Sequence, residues 1–199
     1  MPGARIKTGE RVTLRTVERE DVPFLQRGTA NPELRYPLGS RLMNQEQIER
    51  EILDDGKDQF LVCLDGENAD PAPLDEDSET PPESRANGFA VNDVRPIGAI
   101  FVEDAEWRRP ELVYWLVPEV HGDGYGTEAL SLVIDYVFRA YDHPAVGAGV
   151  YEFNEASRGL LDSLGFSKEG RTRKDRFIDG EYVDTIQYGL LRKEWRERG

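Results

Sequence analysis

The residues best placed to do chemistry are three glycines at alternate positions. Gly122, Gly124 and Gly126 follow an apolar run, Leu112-Val113-Tyr114-Trp115-Leu116-Val117, that stops at Pro118. A helix-forming segment, Glu128 to Tyr141, comes next. Glycine permits positive φ and bares the backbone, so successive N–H groups can converge on an anion where a helix begins. A strand, a glycine turn and a helix start in that order make a cradle for a diphosphate. Taken alone, the same pattern also reads as a glycine-rich surface turn.

Spacing separates the phosphate loops that compete for this reading. A P-loop needs Gly-Lys-Ser/Thr at its end, and no lysine lies near Gly126. The dinucleotide fingerprint Gly-x-Gly-x-x-Gly needs its third glycine one place later, where Thr127 stands. His121-Gly122-Asp123-Gly124-Tyr125-Gly126 instead resembles the coenzyme A loop of the GNAT-type N-acetyltransferases, Gln/Arg-x-x-Gly-x-Gly/Ala, with His121 in place of the usual Arg or Gln. A second segment, Asn154-Glu155-Ala156-Ser157 leading to Leu164-Gly165-Phe166 and Gly170, is similar to the family's later motif. It also stands on its own physics: Asn154 can cap a short helix, Leu160, Leu161 and Leu164 form its stripe, and Gly165 can take the left-handed position that ends it.

These motifs need a frame. Arg11–Val17 reads as a first strand, Glu20–Gly28 and Asn44–Asp54 as helices, and Asn44 with Gln47 as a capping box. Phe60–Leu64, Ile97–Val102 and Ala145–Tyr151 read as further strands, the last one buried. Asp179-Gly180 between Arg176–Ile178 and Glu181–Val183 is a two-residue hairpin signal. The tail from Tyr182 to Trp195 looks like that of the branch acting on ribosomal-protein N-termini (the Rim type) and of related small-molecule acetyltransferases.

The resemblance implies an α/β GNAT fold. That is a single domain over residues 10–196 with a mixed, mostly antiparallel central sheet, splayed fourth and fifth strands, and flanking helices. It implies acetyl-CoA as co-substrate, no metal, and a primary amine of a protein N-terminus or small molecule as acceptor. The backbone at Leu116 and Val117 would pair with pantetheine. His121 and the amides of Gly122, Gly124, Tyr125, Gly126 and Thr127 would hold the diphosphate, and Asn154 the coenzyme arm. Ser157 would protonate the leaving sulfur, against the simpler reading of a serine in a helix first turn. Glu111 would act as base through water or form a plain salt bridge. The Asn31–Met43 loop, the helix after it and the C-terminal hairpin would line the acceptor site, with Tyr36, Leu38 and Phe177 as apolar contacts. Homodimers are common among such proteins. A coenzyme-binding module without turnover is the competing class; an ATP- or NAD-dependent enzyme is a weaker third.

Composition sets bounds. With 199 residues and 38% hydrophobic content, the chain suits one core. It shows no N-terminal apolar run and no stretch near 18 apolar residues, so the expectation is a cytoplasmic chain without signal peptide or membrane helix. The lone cysteine, Cys63, sits in an apolar strand and reads as packed; the histidines, His121 and His143, are too few for a transition-metal cluster, and His143 reads as exposed. The net charge is −14. Between Asp65 and Arg85 eight acids face Arg85 alone, half of that charge, and Pro71, Pro73, Pro81 and Pro82 mark residues 65–95 as an acidic, unstructured insertion. Such charge argues against nucleic acid as a partner, and the short basic run Arg171–Arg176 reads as solvated surface.

Acid-rich, lysine-poor composition suits a very salty cytosol, where salt screens self-repulsion. We hypothesise a halophilic source. The thermal midpoint should rise between dilute buffer and molar KCl, and a flat or falling midpoint in a calorimetric salt series would refute this.

Overall fold

The computed structural model describes residues 3–52, 58–65, 94–106 and 108–198. An eight-stranded sheet runs through them: β1 (Arg5–Thr8), β2 (Thr13–Thr16), β3 (Asp58–Asp65), β4 (Val94–Glu103), β5 (Glu111–Leu116), β6 (Ala145–Tyr151), β7 (Ser167–Ile178) and β8 (Glu181–Leu191). Their order is β1-β2-β3-β4-β5-β6-β8-β7, antiparallel throughout except between β5 and β6. Among the described residues the helices are α1 (Val22–Ala30), α2 (Pro32–Leu38), α3 (Gln45–Ile52), α4 (Tyr125–Ala140), α5 (Glu155–Leu164) and α6 (Arg192–Arg196). The acidic insertion expected over residues 65–95 lies outside the described residues except at its ends, where Asp65 closes β3 and Val94 and Arg95 open β4.

Alternation along the strands builds a core on each face of the sheet. On β3, Phe60, Val62 and Leu64 pack towards α4 and α5, while Leu61 and Cys63 pack with Val22, Leu25, Leu34 and Ile48 of α1–α3. Helix α4 meets the first face with Ala129, Leu130, Val133, Ile134, Val137 and Phe138, the stripe a 3.6-residue period gives. Burial pushes the Cys63 thiol well up, as befits a packed side chain.

Local chemistry explains most boundaries. Asn44 and Gln47 exchange amide-to-side-chain bonds of 2.9 Å each and start α3. Asn154 Oδ1 accepts from the Ser157 amide at 3.1 Å and starts α5, which Gly165 ends at φ 85°. Asp179 and Gly180, both at positive φ, turn β7 into β8.

Three expectations need correction. Residues 31–43 contain a helix, α2, which Asn31 caps through the Glu33 amide at 3.0 Å and Pro32 opens; Pro37 within it obscures the helical pattern. A short strand, β1, precedes the first expected strand; counted with it, the pair expected to splay is β5 and β6, and these two strands do part. His143 is half-buried, its Nε2 donating to the Ala105 carbonyl at 2.7 Å, because the loop before β6 folds back on the end of β4.

Gly28 of α1 is buried against Trp115, where a Cβ would fall 2.2 Å from Cη2 of the ring. Alanine ordinarily gains about 1 kcal/mol over glycine inside a helix, but overpacking costs about 1–3 kcal/mol. Gly28→Ala should therefore lower the midpoint of urea unfolding; a raised midpoint would show that the ring moves aside freely.

Candidate active site

β5 pairs with β4 along its whole length, from Gly98↔Leu116 to Glu103↔Glu111. β5 and β6 pair once, at Glu111↔Gly147, beside a 2.8 Å bond from the Gly147 amide to the Pro110 carbonyl. Above that bridge the strands part around a cavity of about 1340 Å³. Gly147 allows the close approach at the base: a Cβ there would lie 2.4 Å from Glu111 Oε1 and 2.7 Å from Arg109 Nη2. Arg109 binds Glu111 at 3.1 Å and also pairs with Glu169 on β7, tying the base of the opening together.

The sides of a strand alternate, and that decides which amides face the cavity. The Val117 amide donates to Ile97 O at 2.7 Å, so Val117 belongs to the β4 side, and Leu116 and Tyr114 turn their backbone towards the gap. Val117 therefore stands behind the opening rather than in it. His121 lines the cavity but turns back: its Nε2 carries the hydrogen and donates to Leu116 O at 2.8 Å. The Leu116 amide therefore faces the gap at the strand end.

The glycine turn sits at one mouth of the cavity. Gly122 and Gly124 adopt φ of 87° and 84°, and Gly124 caps α4 with no side-chain hydrogen bond to the helix start. The first intrahelical bond is Glu128 N to Gly124 O at 3.2 Å, so the amides of Tyr125, Gly126 and Thr127 point outward unpaired by the helix. Gly126 lets this turn approach α5, since a Cβ would lie 3.3 Å from Leu160 Cδ2. Free amides and the positive end of a 16-residue helix dipole suit a diphosphate.

Arg11, which no sequence pattern singled out, holds this turn. It donates to Asp123 O at 2.8 Å, pairs with Glu128 at 3.2 Å, and lies over the Tyr125 ring at 4.7 Å. Glu128 Oε1 also accepts from the amides of Arg11 and Val12 at 2.8 and 3.1 Å. Burial pushes the Glu128 carboxyl up, but these amides and the guanidinium outweigh it and hold the group below the usual range.

Across the gap, Asn154 and Ser157 line the cavity at the start of α5, and Ser157 Oγ lies 2.7 Å from the Tyr114 hydroxyl. Glu111 lies at the base, its carboxyl pushed up by burial and pulled back by Arg109. The far wall comes from α2 through Glu33, Leu34, Pro37 and Leu38, and from Asp175 and Arg176 on β7. Tyr36 and Phe177 do not line it: Tyr36 carries Arg35 on its ring and Phe177 pairs with Tyr182 at the hairpin tip. Among the described residues no group of His, Cys, Asp and Glu could hold a metal, and no helix is long and apolar enough to cross a membrane.

Comparison with known proteins agrees with this geometry. Residues 11–167 match the acetyltransferase (GNAT) domain, and the chain belongs to that family. It is 33% identical over 88 residues to the putative ribosomal N-acetyltransferase YdaF of Bacillus subtilis, a match covering 44% of this chain and 48%, about half, of that relative. It is 26% identical over 189 residues to spermidine N(1)-acetyltransferase of Escherichia coli, covering 92% of this chain and 88% of that one. The fold is shared with spermidine N-acetyltransferase from Vibrio cholerae, solved with CoA and spermine, at a TM-score of 0.73 and 19% identity over 94% of this chain and 99% of that one.

The Glu128 contacts make a pH prediction. A carboxyl whose folded pKa lies below its unfolded value of about 4.3 adds stability above that pH, and the gain disappears as pH falls through the folded value. Glu128→Gln should unfold more easily than the unmodified chain at pH 7, with the gap closing below about pH 4; a gap of constant size in denaturant titrations would disprove the assignment.

Proposed function

We propose that the chain transfers the acetyl group of acetyl-CoA to a primary amine, both substrates bound at once. The observation that carries this reading is the opening between β5 and β6, bounded at one mouth by free helix-start amides. Acetyl-CoA bound there supplies an activated acetyl group as a thioester. The amides of Tyr125, Gly126 and Thr127, with the turn at Gly122 and Gly124, hold the diphosphate. The outward edge of β5 at Tyr114 and Leu116 pairs with the pantetheine arm, as an added strand would, and the Leu116 amide can polarise the thioester carbonyl. Asn154 spends its carbonyl oxygen on the Ser157 amide and keeps its NH₂ for the arm. Ser157 protonates the departing sulfur.

The amine reaches the carbonyl from the side of α2 and β7. Glu33, Glu103, Asp104, Glu111 and Asp175 line that region with Arg108, Arg109 and Arg176, and the carboxylates favour a cationic acceptor. Attack needs a neutral amine. An α-amine with pKa about 8 is roughly one-tenth neutral at pH 7, whereas a lysine near 10.4 is neutral in only about one part in a few thousand. Glu111, its carboxyl pushed up by burial, takes the amine's proton through water, and Arg109 keeps it charged until then. Protein N-terminal α-amines and polyamines are the acceptors this site suits best, in line with the ribosomal and spermidine enzymes among its relatives.

Release of free CoA thiol with a panel of peptide N-termini, polyamines and small amines tests the reading. Turnover should appear with at least one acceptor. Ser157→Ala and Glu111→Gln should each lower kcat/KM by about 10²-fold. Tight binding of acetyl-CoA without turnover on any acceptor would favour a coenzyme-binding module instead, and unchanged kcat/KM in both variants would remove these two roles.

A further inference from the structure

The hydroxyls of Tyr114, on the free edge of β5, and Ser157, in the first turn of α5, lie 2.7 Å apart with both residues lining the cavity. We propose that Tyr114 is a positioning residue whose hydroxyl donates to Ser157 Oγ and so turns the serine's own hydrogen towards the leaving sulfur. This inference rests on the acetyl-transfer reading above.

A serine hydroxyl rotates freely and has one hydrogen to give. Given to Tyr114, that hydrogen would be lost to the sulfur. The direction of the bond therefore decides whether Ser157 can act. Burial pushes the Tyr114 phenol up to about 12, and the fully buried Tyr188 beside it acts the same way, so Tyr114 keeps its proton at any working pH. It has that one hydrogen, and Ser157 Oγ sits where it must go. The Ser157 amide is meanwhile anchored to Asn154 Oδ1 at 3.1 Å, which fixes the first turn of α5 and the reach of its hydroxyl. Accepting from Tyr114 also polarises the serine O–H, because linked hydroxyls strengthen one another as donors.

The proton account closes without consuming Tyr114. The amine nitrogen forms the new bond to the acetyl carbon and releases one proton to Glu111 or water. The C–S bond breaks with its electron pair on sulfur, sulfur takes the Ser157 proton, and Ser157 is reprotonated from solvent. Tyr114 holds its own hydrogen throughout.

A double-mutant cycle tests this in two ways. With acetyl-CoA and an active amine, Tyr114→Phe should lower kcat about tenfold, with KM for acetyl-CoA changed by less than about twofold. In the Ser157→Ala background the same change should cost less than about twofold. Calorimetric titration supplies a measurement independent of turnover. At about pH 9, where a free thiol of pKa about 8.5 is mostly thiolate, Tyr114→Phe and Ser157→Ala should each weaken CoA binding about fivefold, and the double variant should be no weaker than the worse single one. Desulfo-coenzyme A should bind all four proteins within about twofold. Equal losses for CoA and desulfo-coenzyme A, or losses that add in the double variant, would overturn the proposal. Absence of turnover on every amine, with the binding cycle intact, would instead overturn acetyl transfer and leave the Tyr114–Ser157 pair standing.

Discussion

Two neighbouring strands that meet at one residue pair set the terms for everything else in this molecule. A parallel pair normally continues its ladder, because buried backbone groups left without partners are costly. Here the ladder ends at Glu111↔Gly147, and the edge of β5 beyond it faces a cavity. The base is pinned from several directions: Arg109 reaches both Glu111 and Glu169, and the Gly147 amide bonds to Pro110. The top is held apart by what is packed there. α2 ends at Gly39 against the Tyr151 hydroxyl, and α5 presses Leu160 towards Gly126. An open sheet edge of this kind invites an extended partner, and the pantetheine arm is one by shape and hydrogen-bonding capacity.

The electrostatics divide the cavity by function. One mouth offers amides and a helix start, which favour an anion. The other carries carboxylates and guanidinia close together, which in the proposed reaction receive an ammonium and then take its proton. Between them lie two hydroxyls, Tyr114 and Ser157, with the coenzyme's sulfur expected beside them. A net charge of −14 would by itself repel an anionic coenzyme, so local dipoles, and not the overall field, must secure it.

His121 shows how a departure from a family pattern can be read only in place. From sequence, His121 stands where the family's loop carries arginine or glutamine, a place that implies a phosphate contact. In the fold its ring donates to Leu116 O and steadies the end of β5, a service to the same site through a different atom. Arg11 is the converse case. Nothing in the sequence around it connects it to residues 123–128, yet its guanidinium and its amide both secure the glycine turn.

The sequence by itself determined the local pieces: the glycine turn, the Asn154 and Asn44 caps, the Asp179-Gly180 hairpin and the strand–turn–helix order, all governed by interactions within a few residues of chain. It under-read α2, because Pro37 interrupts a helix whose start signal at Asn31-Pro32 is sound, and it passed over β1, whose four residues carry little pattern. Tertiary structure alone decided which side of β5 each amide faces, that Val117 looks away from the opening, and that Tyr114 meets Ser157 across 43 residues of chain. Those outcomes depend on strand register and on how α5 packs over the gap. Both are set by long-range burial that a reading of neighbouring residues does not contain.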